Sequence, residues 1–389
     1  MVAHTYYPHD VRVRRECDAL GDRGDRVDLI CLRDRGEQSS ERIGNVTVHR
    51  LPIQHARGQG QAVYIREYLG FFLRSFALLT RLFIKHRYPI VQVHNLPDFL
   101  VFVTLIPKIL GARVLLDMHD VTPELFQSLY GTSQSSLKFG LLRFVEQVSL
   151  AYADAVLTVN RNIRDLFLAR NPIAHKIEVV MNAPDPRYFH SCGSGASSTN
   201  GNFRIIHHGQ IIRRYDFEVA LEAVRIAKDR IPDLRLDIYG DGEASYIRHL
   251  LRIVDSSGLG QSVKFHARVP LEQVQGLIRS ADIGIVPCKR DVFVDQVMLP
   301  VRLLEYIASG LPAVVSRVGT VEAYFDDEDI AYYPPSDPDA LANRIVELYS
   351  DPQRRLDMAT RAKNTFRIYE WPRMKLRYYN VIDSLAKIR

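Results

Sequence analysis

The sequence predicts two α/β domains, each a parallel sheet covered by helices on both faces, facing each other across a cleft. Three observations carry that expectation. Short β-rich runs alternate with helical patterns along the chain, as parallel sheets with crossover helices require. A length of 389 residues leaves room for two full cores. A stretch of mostly Gly, Ser and Asn at residues 191–202, SCGSGASSTNGN, interrupts the alternation halfway and reads as a hinge. The expected organisation is therefore a first domain over 1–190, a linker over 191–202, a second domain over 203–370 and a last helix over 371–389.

Taken in order, the first strand looks short, Val2-Ala3, so that His-Thr-Tyr-Tyr-Pro-His-Asp forms a loop at its carboxyl end. Further strands are expected at 27–32, 46–50, 90–94, 113–118, 155–159 and 177–181. In the second half they are expected at 204–208, 235–239, 263–266, 283–287, 313–316 and 331–333. Residues 64–85 read as a basic amphipathic helix. Arg66, Arg74, Arg81 and Lys85 share an arc of about 100°. Ile65, Tyr68, Leu69, Phe71, Phe72, Phe76, Leu79, Leu82 and Phe83 take the other side. Such a helix either packs on the sheet with its basic face solvated or lies near an anionic membrane.

Charge and composition narrow the class. Hydrophobic content of 47% and charged content of 25% are those of an ordinary globular protein. The net charge of +6 sits mainly in the first half, where 24 Lys/Arg face 19 Asp/Glu, against 27 and 26 in residues 191–389. That half is expected to meet something anionic. The scattered cysteines, Cys17, Cys31, Cys192 and Cys288, lack metal or disulfide spacing. The opening residues lack a secretory signal, and no apolar run is long enough to span a bilayer. A cytoplasmic location is expected, peripheral at the inner face of the membrane if the basic helix touches lipid. No HExxH, Walker A or GxSxG sequence occurs, and no RRM-like or zinc-finger signature supports nucleic-acid binding.

Four stretches can carry chemistry. In MLPVRLLEYIASGLPAVVS, 298–316, Pro300 suits the start of a helix and Gly310 its end. Arg302 and Glu305 share a face there, either as a surface ion pair or as ligand-binding groups beside the free amides of the helix start. In RVLLDMHDVTPELF, 113–126, His119 stands at a strand's carboxyl end, while Asp120 and Glu124 can be helix-start chemistry alone. In HHGQIIRRYDFEVALEAV, 207–224, Gly209 permits close backbone approach, and Arg213-Arg214 either bind phosphate or are solvated. IYGDGE, 238–243, fails as a dinucleotide fingerprint because the third glycine position is Ser245; Gly240 and Gly242 read as a tight turn.

In order and spacing, these pieces resemble the retaining glycosyltransferases of family 4, which have the GT-B fold of two Rossmann-like domains. The resemblance also covers RVRRECDALGDRGDRVDLICLR, HNLPDF, VLTVN, VVMNAPD and ADIGIVP, and so nearly the whole chain. It implies that Glu305 binds the donor's ribose hydroxyls. It implies that backbone amides of 297–300, with Met298, Leu299 and Pro300, hold the diphosphate and sugar. Arg214 and Arg302 match the surroundings of the diphosphate, near Gly209. His119 matches the first-domain histidine that reaches the donor sugar, and Arg268-Val269 the place of the base. Trp371 onward resembles a last helix crossing back to the first domain.

Three departures stand out. Val297 occupies a position that is Glu in many relatives, with Asp295 the nearby substitute. Gly209-Gln210 replaces Gly-Arg, shifting the phosphate charge to Arg213, Arg214 or Arg302. Pro8-His9-Asp10-Val11-Arg12 replaces a Gly-Gly acceptor loop, and His9, Asp10, Asp120 and Asp295 are the candidate sugar or acceptor contacts. The expected reaction is a retaining transfer from a nucleotide-diphosphate sugar to a hydroxyl acceptor, a glycan or lipid-linked glycan, with no metal and no cofactor. The rivals are a sugar-nucleotide epimerase of related fold and an inactive sugar-nucleotide-binding scaffold.

Overall fold

The computed structural model describes residues 1–55, 61–190 and 202–387. The expected hinge thus lies, except for Asn202, outside the described residues. Contacts divide the chain into two compact units, residues 1–182 with 372–389, and residues 183–371.

The first unit opens with β1 (Val2–Tyr6), α1 (Val11–Arg23), β2 (Val27–Leu32), β3 (Ser40–Ile43), β4 (Val46–Leu51) and α2 (Gln61–His86). Next come β5 (Ile90–His94), a 3-10 turn (Asp98–Thr104), α3 (Leu105–Ile109), β6 (Arg113–Met118), α4 (Thr122–Tyr130), α5 (Leu137–Tyr152), β7 (Ala155–Thr158), α6 (Arg161–Arg170) and β8 (Ile177–Val179). The sheet order is β3-β4-β2-β1-β5-β6-β7-β8, parallel except for β3. Strand runs such as LICL in β2 are buried on both faces, as a helix-covered parallel sheet demands. From β1 the chain turns toward β2; from β5 it turns toward β6. Right-handed crossovers therefore place α1 on one face and α2 through α6 on the other. Asp10 caps α1 by accepting the Arg12 amide at 3.0 Å, and Gly24 ends the helix at a φ of 94°. The final helix α15 (Trp371–Lys387) packs in this unit, where Tyr379 Oη donates to the Ala19 carbonyl at 2.6 Å.

The second unit contains β9 (Arg204–His208), α7 (Phe217–Ala227), β10 (Arg235–Tyr239), α8 (Ala244–Ser256), β11 (Val263–His266), α9 (Leu271–Arg279), β12 (Ile283–Val286) and α10 (Val292–Gln296). Then follow α11 (Val301–Ser309), β13 (Ala313–Ser316), α12 (Gly319–Glu322), β14 (Ala331–Tyr333), α13 (Pro338–Ser350) and α14 (Pro352–Phe366). All six strands are parallel in the order β11-β10-β9-β12-β13-β14. Strand order reverses between β9 and β12. The crevice beyond their carboxyl ends is the topological switch point, where open α/β sheets bind ligands.

Several expectations change. β1 runs to Tyr6, because pairing with β2 and β5 extends it; His4-Thr5-Tyr6 is strand, and the loop begins at Tyr7. The edge strand β3 was not foreseen: SERI is polar and borrows its conformation from antiparallel pairing with β4. On α2, Phe71, Leu79 and Phe83 are buried, but Ile65 and Leu69 are exposed together with Leu73 and Ile84. The helix is more apolar than its packed face needs. No described helix is long and apolar enough to cross a membrane.

Candidate functional site

In the second unit, β9 delivers His207 and His208 to the switch point, and Gly209 follows at a φ of 111°. The first turn of α11 brings Arg302 over this glycine. The φ of Gly209 favours glycine, and a Cβ there would also crowd Arg302 Nη2 at 3.1 Å. Arg302 is buried, 3.9 Å from the centroid of the Tyr215 ring, and its Nη1 bonds the imidazole of His207. Burial and the Arg302 guanidinium hold His207 well below the usual imidazole range, so His207 stays neutral. Nδ1 of His207 lies 3.3 Å from the Ile285 carbonyl, leaving Nε2 to accept from Arg302. Among the described residues no carboxylate pairs with Arg302. One turn further, Glu305 Oε2 lies 2.5 Å from His208 Nε2. Arg302 and Glu305 thus do not form the surface ion pair; each is held by a different histidine of β9.

The neighbouring loops frame this pair. Arg214 stacks on Phe293 at 4.4 Å and lies 3.9 Å from Asp291; Arg213 is exposed and stacks on Tyr246 at 4.6 Å. The Lys289 amide donates to the Arg214 carbonyl at 2.9 Å, tying the loop after β12 to the loop after β9. Gly240 and Gly242 are explained by backbone approach. Cβ atoms there would fall 1.9 Å from the Gly209 oxygen and 2.1 Å from the Ile211 oxygen. The amides of Gly209 and Ile211 bond the carbonyls of Tyr239 and Asp241 at 2.9 and 2.8 Å. Arg268 is exposed and Val269 half-buried in the loop after the edge strand β11.

The 297–300 segment differs from expectation. The amides of Val297 and Met298 both bond the Phe293 carbonyl, at 2.9 and 2.8 Å, and Pro300 has none. The amides the segment can still offer are those of Leu299 and of the first turn of α11, Val301 and Arg302. Helix α11 begins at Val301, with Pro300 at its cap, and ends at Gly310 with a φ of 79°. Asp295 is occupied structurally: its Oδ1 accepts the Gly319 amide at 2.9 Å and lies 3.4 Å from Arg290 Nε. Val297 is buried.

In the first unit, His119 is buried just beyond β6 and its Nδ1 lies 3.3 Å from Asp117 Oδ2. The same oxygen lies 2.8 Å from His94 Nδ1. Asp117 resists burial and is held well below the carboxylate range by His119 and His94. Asn95 Oδ1 accepts the His119 amide at 3.1 Å, and Asn95 Nδ2 reaches the Asp120 carbonyl at 2.7 Å, fixing the loop. Asp10 is bonded by Arg12 Nε and Nη2 at 3.2 and 3.0 Å, and Arg12 also lies 3.9 Å from Asp120. His9 is exposed beside them. Glu124 is buried against Arg170, which also reaches Glu146, so its role is internal pairing. His94, Asp117 and Asn95 lay unread in the sequence. Their signals were their places at or near the carboxyl ends of expected strands and within the motifs HNLPDF and RVLLDMHDVTPELF. Two described clusters offer metal-type donors, His94–Asp117–His119 and His4–His55–Glu67, and in each the histidine nitrogens lie within 3.3 Å of a carboxylate oxygen.

Comparison with known proteins agrees with this layout. Residues 9–183 match the family described as glycosyl transferase 4-like domain, and residues 202–351 match glycosyl transferases group 1. A GDP-mannose-dependent alpha-(1-6)-phosphatidylinositol monomannoside mannosyltransferase of Mycolicibacterium smegmatis is 27% identical over 157 residues, 40% of this chain and 41% of that protein. A D-inositol 3-phosphate glycosyltransferase of Arthrobacter is 27% identical over 176 residues, 44% and 40% of the two chains. The matched stretch therefore spans about two fifths of these curated relatives. Among solved structures, sucrose-phosphate synthase of Thermosynechococcus elongatus superposes with a TM-score of 0.76 at 18% identity, covering 98% of this chain and 94% of that one. Anabaena HepE, solved with UDP and glucose, gives 0.72 at 15% identity, covering 98% and 99%. The chain belongs to the family 4-type, group 1 glycosyltransferases and has their GT-B fold.

Proposed function

We propose that this chain is a retaining glycosyltransferase that moves a sugar from a nucleotide-diphosphate donor to a hydroxyl acceptor, a glycan or lipid-linked glycan. The observation that carries the reading is Arg302: a buried guanidinium at the switch point, answered by a neutral imidazole and a tyrosine face rather than a carboxylate. A buried cation without a counter-charge is costly, and an anionic diphosphate completes it. Glu305, pinned by His208, takes the ribose hydroxyls; Arg214 and the amides of Leu299, Val301 and Arg302 take the phosphates. The relative named for GDP-mannose and phosphatidylinositol monomannoside, and the neighbour solved with UDP and glucose, support a nucleotide-sugar donor and a lipid-borne acceptor.

In the proposed step the bond between the sugar C1 and the diphosphate oxygen breaks, and the acceptor oxygen bonds C1 on the same face. The acceptor proton passes to the departing phosphate. Arg302, Arg214 and the helix-start amides stabilise the charge that develops there, with no metal required. His119, oriented by Asp117, meets the donor sugar, and His9, Asp10 and Asp120 lie on the acceptor side. Contact of residues 64–85 with a membrane brings a lipid-linked acceptor to the enzyme.

The test is calorimetry with GDP and UDP, followed by product analysis with and without acceptor. Glu305→Gln is expected to weaken nucleotide binding by roughly 1.5–3 kcal/mol, the range for hydrogen bonds to charged groups. Unchanged affinity in that variant, or sugar released from donor without any acceptor, refutes the assignment.

A further inference from the structure

The first unit carries an apolar surface that its own core does not use. Of the twenty large hydrophobic side chains exposed among the described residues, thirteen lie between Ile65 and Val148. Scattered exposed hydrophobics are normal, but concentration is not. The clearest case is α5. Phe139, Glu146, Ser149 and Leu150 are buried on its packed side. Leu137, Leu141, Phe144 and Val148 are exposed on the opposite side, with Leu137 at 91% and Phe144 at 61%. Their spacing of four, three and four residues draws one stripe along the helix, within an arc of about 60°. On α2, Ile65, Leu69 and Leu73 form a second exposed stripe.

The two helices lie on the same face of the sheet. Phe72 of α2 packs on Phe99 of the 3-10 turn, with ring centroids 5.9 Å apart. Phe102 of that turn packs on Tyr152 of α5 at 4.9 Å. Charge then says what covers this face. Residues 61–152 contain nine Lys/Arg and six Asp/Glu. Glu67, Asp98, Asp117, Glu124 and Glu146 are buried and Asp120 is half-buried, so no carboxylate there is exposed. The exposed charges, Arg66, Arg74, Arg81, Lys85, Arg87 and Lys138, are all cationic. An apolar surface whose exposed charges over residues 61–152 are all cationic fits an anionic lipid surface: acyl chains receive the hydrophobic stripe and headgroups the Lys and Arg.

We infer that α5, through Leu137, Leu141, Phe144 and Val148, inserts into an anionic membrane while the cations of α2 hold its headgroups. This deepens the proposed contact of 64–85, on which it rests, by assigning the inserting element; it does not depend on the donor.

The test is co-sedimentation of the full chain with phosphatidylcholine vesicles with and without phosphatidylglycerol, at low and physiological salt. The parent protein is expected to pellet with the anionic vesicles. Leu141→Glu with Phe144→Glu is expected to lower its partition by about tenfold or more. Arg66→Gln with Arg74→Gln and Arg81→Gln should lower it too and flatten its salt dependence. Both positions in α5 are exposed, so the melt of the double variant should stay cooperative; Leu141→Gln serves if it does not. No pelleting of the parent, or parent-like pelleting of the α5 variant, overturns the inference. So does a parent dimer in sedimentation velocity that the α5 variant dissociates, since the stripe is then an interface between two copies. Nucleotide affinity measured without vesicles separates the two failures: intact affinity with no pelleting discards the membrane surface alone, and the converse discards the donor reading alone.

Discussion

Arg302 holds a full positive charge where water is largely excluded, and its neighbours do not neutralise it. Before ligand arrives this arrangement costs folding free energy; when a diphosphate arrives the cost becomes binding free energy. Replacing the side chain should therefore separate stability from function. Arg302→Met, which keeps much of the volume, is expected to leave the unliganded melting temperature at or above the parent value. The upward shift produced by saturating GDP or UDP should shrink, since stabilisation by ligand follows its affinity. Thermal melts with and without nucleotide check both halves. A variant that melts lower but keeps its ligand shift would make Arg302 a structural residue. The spacing of Arg302 and Glu305 was legible as one helix face. Their partners were not, because His207 and His208 stand 95 and 97 residues away.

At the scale of elements, the nucleotide half depends on how closely two loops pass. The loop after β10 lies against the loop after β9, with Gly240 under the Gly209 carbonyl and Gly242 under that of Ile211. Neither glycine is needed for its own dihedral angles; each is needed because a methyl group would occupy a carbonyl oxygen. Gly240→Ala is expected to destabilise the protein by roughly 1–3 kcal/mol or more, the cost of overpacking. It should also weaken nucleotide binding, because Gly209 is pushed toward Arg302. Urea melts and calorimetry measure the two effects; an unchanged melt would show that the loops move apart freely. The sequence marked these glycines as a turn, and turn chemistry is local. What made them obligatory is a contact with a loop some thirty residues earlier.

The first unit gathers both chain ends around a buried polar network. Tyr378 Oη of α15 donates to Gln92 Oε1 at 2.6 Å, Gln92 Nε2 donates to Glu16 at 2.5 Å, and Gln92 lies 3.4 Å from His94, which pairs with Asp117. Burial, with Asp117 nearby, pushes Glu16 up to about 7; burial likewise lifts Asp98 to about 6 and Glu146 to about 7. A carboxyl raised in the folded state stabilises fully below its unfolded value and loses that contribution as pH rises through the folded one. His94, also raised, adds the same sign above its ordinary value. Asp10 and Asp117 are lowered, so their contributions change only below the ordinary carboxylate range. Stability of this unit should therefore fall between about pH 4.5 and 7. Glu16→Gln is expected to reduce that fall by roughly 1–3 kcal/mol while Glu146 and Asp98 preserve the remainder. Denaturant melts at pH 5 and pH 8 decide; an identical pH slope in parent and variant would contradict the network's ionisation.

By itself the sequence determined the strands that lie inside the sheets and the ends of α11. Periodicity, apolar runs and the proline and glycine at helix ends act within a few residues, whatever the rest of the chain does. It also determined the family, through motifs read in order. Tertiary structure decided the rest. Pairing extended β1 and created β3, whose polar residues have no strand pattern of their own. Strand order brought two histidines of β9 to Arg302 and Glu305. Packing also decided which side of an apolar helix is covered: Leu69 and Phe144 are as hydrophobic as Leu79 and Phe139, and only the neighbouring turn and sheet separate the exposed pair from the buried one. Composition sets how much apolar surface a helix has; what lies against it sets how much is left for a partner.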